Sequence, residues 1–253
     1  MVSIRNIEFS YHINPVLQDV SCNIEAGDFV ALVGPNGSGK STLIKCITGI
    51  LKTQKGEILI DGKVSKSYSP NAMARKVAYV PQNICRQASV PVFDTVLMGR
   101  KPYISWKPSA NDLEITAGIL KLLDIDHLSM KITNELSGGQ RQTVMIARAL
   151  AQEPEILLLD EPTANLDIRH QMEVLEILKA LTAKNITIVI AIHDINMALR
   201  YANNIMMLKD GKVFFYGAKE KITAANIENL YEIKVEIVPI NGVPYIIPKA
   251  ISA

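Results

Sequence analysis

The sequence predicts an α/β protein with a mainly parallel core sheet, an antiparallel β subdomain beside that sheet and an inserted helical subdomain. The first observation is that short apolar, β-branched runs alternate with longer amphipathic stretches, a pattern typical of parallel strands covered by helices. The second is a central segment that lacks such runs and interrupts the alternation. The length of 253 residues fits one large domain of this kind.

Apolar runs bounded by polar or turn-forming residues are predicted to be the core strands. Several of these runs contain almost no polar residue, so the strands are expected to be buried on both faces. The amphipathic stretches that follow them are predicted to be helices. The predicted strands are 28–34, 77–80, 156–160 and 186–192, and the predicted helices are 40–49, 138–152, 168–183 and 195–202.

The segments outside this core are of three kinds. The N-terminal part predicts antiparallel strands at 4–10, 20–24 and 56–60. Prolines separate two helical patterns, at 93–99 and 112–123, in the central segment. The tail combines short strands with two short helices. The chain is therefore predicted to be a single domain, with a core of 1–89 and 136–210, a helical subdomain of 90–135 and a C-terminal extension of 211–253.

Composition excludes several classes of protein. Lys and Arg number 27 and Asp and Glu number 25, so no overall basic field indicates a nucleic-acid partner. No apolar run approaches the roughly 18 to 20 residues that span a bilayer, and the N-terminus does not resemble a signal peptide, so we expect a cytosolic protein. Cys22, Cys46 and Cys85 form no metal-ligand pattern and are expected to be reduced and mostly buried.

A glycine-rich segment between a predicted strand and a predicted helix fits the pattern G-x-x-x-x-G-K-[ST]. Glycines let successive backbone N–H groups converge on one anion, and the helix N-terminus adds partial positive charge. Lys40 supplies a cation for the β- and γ-phosphates, and Ser41 supplies a hydroxyl for Mg²⁺. The nucleotide-binding residues predicted here are Gly34, Pro35, Asn36, Gly37, Ser38, Gly39, Lys40, Ser41 and Thr42.

A second apolar strand ends in the carboxylate pair Asp160 and Glu161. Open α/β sheets bind ligands at the carboxyl ends of their strands, so this pair is expected to reach the phosphates. We predict that Asp160 holds the metal ion, through water. Glu161 would accept a proton from the attacking water.

A third segment, Leu136 to Gln140, reads LSGGQ and precedes a long helical pattern. Ser137 is predicted to cap that helix and to donate to an anion, and Gly138, Gly139 and Gln140 complete this signature turn. The chain thus holds two phosphate-binding helix starts that lie far apart in the sequence. The second would have no ligand within one chain, so we expect it to cover the γ-phosphate bound to a second copy, head to tail.

These motifs, in this order, resemble the ATP-binding subunits of ABC transporters over essentially the whole chain. The resemblance implies that Tyr11 stacks on adenine and that Gln82 contacts Mg²⁺ and water at the hinge to the helical subdomain. It also implies that His193 contacts the γ-phosphate. It further places Asp167, within the segment Ala164-Asn165-Leu166-Asp167, at the dimer interface; the family often has serine in place of Ala164. His12, His127 and His170 lack such a placement and are interpreted as structural.

A narrower resemblance is to importers of metal chelates, namely ferric siderophores, haem and cobalamin. It is carried by the segments 93–100 and 193–202 and by Pro102-Tyr103, although that subfamily commonly has histidine in place of Tyr103. Importers of molybdate or tungstate share much of this pattern. A cytosolic ATPase of iron–sulfur assembly is an alternative from another class.

The leading hypothesis is a motor subunit that hydrolyses ATP at the cytoplasmic side of a membrane. The implied cofactors are ATP and Mg²⁺, and the implied partners are a second copy, permease subunits and, indirectly, a substrate-binding protein. ATP binding would close two copies together and hydrolysis would reopen them.

Overall fold

A computed structural model describes residues 1–82, 89–164 and 166–249 of the chain. Cys85 and Asn165 lie outside the described residues. The strands are β1 (Val2–Tyr11), β2 (Asn14–Ile24), β3 (Phe29–Val33), β4 (Lys55–Ile60), β5 (Lys63–Val64), β6 (Val77–Val80), β7 (Ile156–Asp160), β8 (Thr187–Ala191), β9 (Asn204–Lys209), β10 (Lys212–Ala218), β11 (Val235–Ile240) and β12 (Val243–Pro248).

Helices pack against the sheets. Short 3₁₀ turns supplement them, three of these within the central helical segment at Met98–Arg100, Asp126–Leu128 and Thr133–Glu135. The helices are α1 (Lys40–Ile47), α2 (Pro70–Lys76), α3 (Val92–Leu97), α4 (Ala110–Leu122), α5 (Gly138–Leu150), α6 (Ile168–Thr182), α7 (Ile195–Tyr201) and α8 (Ala224–Tyr231).

The larger sheet has the strand order β10-β9-β3-β8-β7-β6. All neighbours pair in parallel except β10, which pairs antiparallel with β9. Every residue of β3, β7 and β8 is buried, as the continuous apolar runs predict. The predicted α/β fold class is therefore confirmed, and the carboxyl ends of these three strands meet at one edge of the sheet.

Strand β9 and helix α2 were not predicted from the sequence. The β9 run, with two methionines and one β-branched residue, lacks the composition that marks a strand, yet it pairs along β3 and is buried. Helix α2 is short, and its signal is local, because Ser69 caps it and Pro70 occupies its first turn.

A second sheet, in the antiparallel order β2-β1-β4-β5, packs over α1. Leu43, Ile44 and Ile47 of α1 are fully buried in the core that joins this sheet to β3, β7 and β8. Burial on both sides fixes the helix that follows the glycine-rich segment. Cys22 and Cys46 are free and buried in the same core, as predicted.

Hydrogen bonds and ion pairs join the helical segment between β6 and β7 to the residues at the C-terminal end of α5. Arg100 is 2% exposed, and its guanidinium pairs with Asp112 at 2.9 Å and Glu153 at 2.6 Å and donates to the carbonyl of Ala151 at 2.8 Å. Hydrogen bonds from Ser109, together with Arg100, hold the pKa of Asp112 at about 2. Because an unpaired buried guanidinium is costly, these contacts act as one unit.

Tyr103 completes this fastening, which we call the Arg100 clamp (Arg100, Tyr103 and their partners). Its hydroxyl donates to the carbonyl of Gln152 at 3.0 Å, and its ring lies 4.0 Å from the Arg100 guanidinium and 4.5 Å from that of Arg75 in α2. Arg75 also donates to the carbonyl of Pro102 at 2.9 Å. The clamp therefore joins the helical segment to the core at the end of α5.

The C-terminal part of the described chain forms α8 and the hairpin β11–β12. The side-chain amide of Asn196 in α7 exchanges two hydrogen bonds with the backbone of Ile246, at 2.8 and 3.1 Å, so the hairpin is attached to the helix that follows β8. Within the described ranges, no helix combines the length and apolarity needed to cross a membrane.

Candidate active site

The glycine-rich segment connects the end of β3 to the start of α1. A Cβ on Gly34 would lie 2.1 Å from the carbonyl oxygen of Leu208, so only glycine fits beside β9. Gly39 adopts φ 104° and begins α1 with no side-chain cap, which leaves the first backbone N–H groups of the helix without a side-chain acceptor. The Ser38 hydroxyl is buried and has no hydrogen-bond partner among the described residues. This set of donors fits an anion such as a phosphate.

Lys40 folds back over this segment. Its Nζ donates to the carbonyls of Gly34 at 2.8 Å and Pro35 at 3.0 Å, and the residue is 5% exposed. Burial lowers the pKa of Lys40, while the negative charges of Glu161 and Asp160 act in the opposite direction. The cation is thus held at the loop by contacts that a phosphate oxygen can replace.

Asp160 and Ser41 meet at the edge of the sheet. The Ser41 hydroxyl donates to Asp160 Oδ1 at 2.7 Å, and the Tyr79 hydroxyl donates to Oδ2 at 3.4 Å. Burial raises the pKa of Asp160, and the Ser41 hydrogen bond opposes that rise. A hydroxyl and a carboxylate side by side are hard oxygen ligands of the kind that Mg²⁺ takes, so this pair fits that ion.

Glu161 lies next to them in a strained backbone conformation. Its φ is 50°, and its N–H donates to the carbonyl of Ala191 at the end of β8 at 3.1 Å. Its Oε1 lies 2.6 Å from Nε2 of His193, and its Oε2 accepts a hydrogen bond from the Gln82 amide. Glu161 therefore contacts two other residues that the sequence predicted for the site, although they lie 32 and 79 positions from it in the chain.

The signature turn begins α5. Ser137 Oγ accepts from the N–H of Gln140 at 3.3 Å, and the Gln140 side chain accepts from the N–H of Ser137 at 3.1 Å, which is a reciprocal capping box. The predicted capping role of Ser137 is thus confirmed. In the parts of the chain that the structure describes, no hydrogen bond or ion pair joins residues 137–140 to residues 34–42.

Tyr11 lies at the end of β1 with 44% of its surface exposed. Its ring packs edge-on against Phe9, with 4.9 Å between the ring centroids. One face of an exposed, supported aromatic ring can accept a base by stacking.

Two contacts at this site were not expected from the sequence. Tyr79 reaches Asp160 from the neighbouring strand, and His170, interpreted as structural, packs against Gly139 of the signature turn. The contact of Tyr79 with Asp160 follows from the parallel pairing of β6 with β7, which places the two residues on neighbouring strands. The second depends on how α6 crosses α5, which no local pattern encodes.

A strand, a phosphate loop and a helix, with a carboxylate pair at a neighbouring strand end, define a nucleoside triphosphatase of the P-loop class. A family model described as ABC transporter matches residues 17–164. The chain belongs to this ABC transporter family, as its motifs predict, and it is an ATP-binding ATPase.

Relatives match the chain over nearly its whole length. An uncharacterized ABC transporter ATP-binding protein of Methanocaldococcus jannaschii is 44% identical over 249 residues, 98% of each chain. The petrobactin import ATP-binding protein FpuC of Bacillus anthracis is 36% identical, covering 100% of this chain and 94% of the relative. The hemin import ATP-binding protein HmuV of Thermobifida fusca is 37% identical, with 96% and 87% covered.

Solved structures agree with the fold. An ABC transporter described as of metal-chelate type, in an inward-facing conformation, matches with a TM-score of 0.86 and 30% identity, covering 98% of this chain and 97% of that one. A dimeric ATP-binding cassette in a post-hydrolysis state with ADP and phosphate matches with a TM-score of 0.77 and 31% identity, covering 86% and 98%. The predicted resemblance to metal-chelate importers is thereby confirmed.

Proposed function

We propose that this ATPase drives uptake of a metal chelate, such as a ferric siderophore, haem or cobalamin, through a membrane permease. The observation that carries the ATPase mechanism is the contact of Glu161 with both His193 and Gln82. The substrate class is supported by the petrobactin and hemin import relatives and by the transporter of metal-chelate type.

In this mechanism Lys40 exchanges its carbonyl acceptors for phosphate oxygens, which draws the γ-phosphate towards the end of β7. Ser41 and Asp160 would hold Mg²⁺, which neutralises charge on the phosphates when bound. Glu161 takes the proton of the attacking water. Each of its oxygens has one partner, His193 or Gln82, and keeps a second lone pair, so the carboxylate can also accept a hydrogen bond from that water.

His193 would turn from Glu161 to donate to the γ-phosphate. Its side chain is 45% exposed while that of Glu161 is 10% exposed, so the imidazole is the partner with room to move. Tyr11 would stack on adenine, consistent with its exposed ring.

A shared active site between two copies is part of this proposal. The signature turn makes no polar contact with the phosphate loop of its own chain within the described residues, and each of the two helix starts can bind one side of a triphosphate. A head-to-tail dimer satisfies both, and the similar cassette with ADP and phosphate is dimeric.

The transport partners follow from the same reasoning. We propose a peripheral location on the cytoplasmic side of the membrane, permease subunits bound to the helical subdomain at 90–135, and an indirect link to a substrate-binding protein. Gln82, which contacts Glu161, immediately precedes the segment that leads into this subdomain. Movement at the phosphates can therefore reach a surface that touches the permease.

The test is copurification from membranes followed by identification of the bound chelate. Single cysteines at exposed positions 113 and 122 of α4 should crosslink to a membrane subunit, whereas a cysteine at exposed position 13, between β1 and β2, should not. Crosslinks from α4 to soluble proteins alone would contradict the transport role and favour the assembly class of ATPase.

A further inference from the structure

We propose that His170 and Asp167 are positioning residues that set the orientation of the signature turn. This proposal rests on the shared active site described above. The contact that points to it is the imidazole of His170, in the first turn of α6, against Gly139, in the first turn of α5.

The neighbouring His170 ring, and not the backbone conformation of Gly139, explains why this position has no side chain. Its φ is not in the left-handed region, so its conformation is open to any residue. A Cβ added there would lie 2.7 Å from Cδ2 and 2.9 Å from Cγ of His170. Real carbon atoms do not approach so closely, and therefore the second glycine of the turn provides room for the ring.

Asp167 fixes the ring in place. Its Oδ1 accepts from the backbone N–H of His170 at 2.9 Å, and both carboxylate oxygens lie 2.8 Å from Nδ1. The backbone hydrogen bond from His170 and the contact with its side chain lower the pKa of Asp167. The imidazole is consequently oriented by its own helix start and not by Gly139.

The same helix start is tied to the catalytic loop. The Gln171 amide donates to the carbonyls of Thr163 at 3.1 Å and Leu166 at 3.0 Å, in the loop that follows Glu161. Two neighbouring residues of α6 thus contact two parts of the site. Gln171 holds the loop that follows Glu161, and His170 packs against the signature turn, which is proposed to meet the partner's nucleotide. A displacement on one side is passed to the other through packed atoms.

This arrangement makes a specific prediction about ATP hydrolysis. Without the ring, the Ser137–Gln140 turn loses its lateral support, and its N–H groups meet the partner's γ-phosphate less often in the productive orientation. We expect His170→Ala to lower kcat and to raise the protein concentration needed for half-maximal specific activity. Nucleotide affinity at the phosphate loop of its own chain should not change.

A double-mutant cycle separates this role from general packing. Gly139→Ala should lower the activity through the clash, and His170→Ala in the same chain should relieve the clash. The double variant should therefore be at least about threefold more active than the product of the single effects predicts. His127→Ala, a histidine exposed on the helical segment, is the matched control and should behave as wild type.

His170→Phe keeps a ring beside Gly139 but loses the Asp167 contact, so it should retain more activity than His170→Ala at equal folded fraction by circular dichroism. Multiplicative effects in the cycle would overturn the positioning role of His170, and wild-type activity in His170→Phe would overturn that of Asp167. Failure of the shared site is detected separately, by concentration-independent activity of the wild-type chain in a proven monomer.

Discussion

Two helices of this protein begin with glycine-rich turns, and they differ in how their first N–H groups are satisfied. Helix α1 begins at Gly39 with no side-chain cap. Helix α5 begins at Ser137 with a complete capping box, so two of its donors have partners within the chain. Since uncapped buried donors are costly, we expect an anion to stabilise the start of α1, whereas the start of α5 has partners for part of its donors without one.

From this difference we infer that the phosphate loop binds nucleotide before the signature turn does. The phosphate loop, with the cation of Lys40 and the unpartnered hydroxyl of Ser38, is prepared for a ligand of its own chain. In the signature turn two backbone N–H groups already have partners in the capping box. The remaining N–H groups are proposed to bind the phosphate of a nucleotide held by a second copy of the chain. The predictions below test this contrast from the largest expected effect to the smallest.

Removing the cation should have the largest effect. We expect Lys40→Ala to reduce ATP hydrolysis to background and to weaken Mg-ATP binding by about tenfold or more, since charged hydrogen bonds contribute roughly 1.5 to 3 kcal/mol. Calorimetry measures the affinity, and Lys52→Ala, an exposed lysine beyond α1, is the control. Wild-type affinity in Lys40→Ala would show that the loop is not the primary site.

The general base ranks next. Glu161→Gln should slow hydrolysis by about 10²- to 10⁴-fold while ATP binding persists, because an amide cannot take a proton from water. The variant should accumulate as an ATP-bound dimer in size-exclusion chromatography. Hydrolysis near the wild-type rate would contradict the assignment of Glu161.

Complementation tests the contrast between the two turns directly. An equal mixture of Lys40→Ala and Ser137→Arg chains contains heterodimers in which one site has an intact phosphate loop and an intact signature turn. With random pairing and independent sites, the mixture should recover about a quarter of the wild-type activity. Each variant alone should be inactive, and activity should rise with protein concentration.

Concentration-independent activity in a proven monomer would rule out a shared site. A mixture as inactive as its parents, with heterodimers present, would show either that the site is not shared or that both sites must act together.

The capping box should have the smallest effect. Gln140→Ala removes one of the two reciprocal bonds, so we expect a loss of about 0.5 to 1 kcal/mol and a fall in unfolding temperature of about 1 to 4 °C. Scanning calorimetry measures the change. Binding of nucleotide by the separate chain should be unaltered, and an unchanged unfolding temperature would show that the box does not stabilise α5 in solution.

Much of the site was predictable because its residues occur in contiguous motifs at strand ends. Asp160, Glu161 and His193 follow apolar runs, and parallel strands bring such positions to one edge of the sheet. The contact of His170 with Gly139 could not be predicted, because it depends on the crossing of two helices. Likewise β9 was missed, since its place beside β3 is set by tertiary pairing and not by its composition.

The Arg100 clamp has a mechanical consequence. Its hydrogen bonds go to the residues at the C-terminal end of α5, and the signature turn lies at the opposite end of the same helix. Thirteen residues at 1.5 Å each make α5 a rod of about 20 Å. A tilt of about 10° at the gripped end swings the other end by about 3 Å, roughly the length of a hydrogen bond. In the dimer that we propose, a small rotation of α5 about the clamp would therefore be enough to make or break its contact with a nucleotide held by the partner.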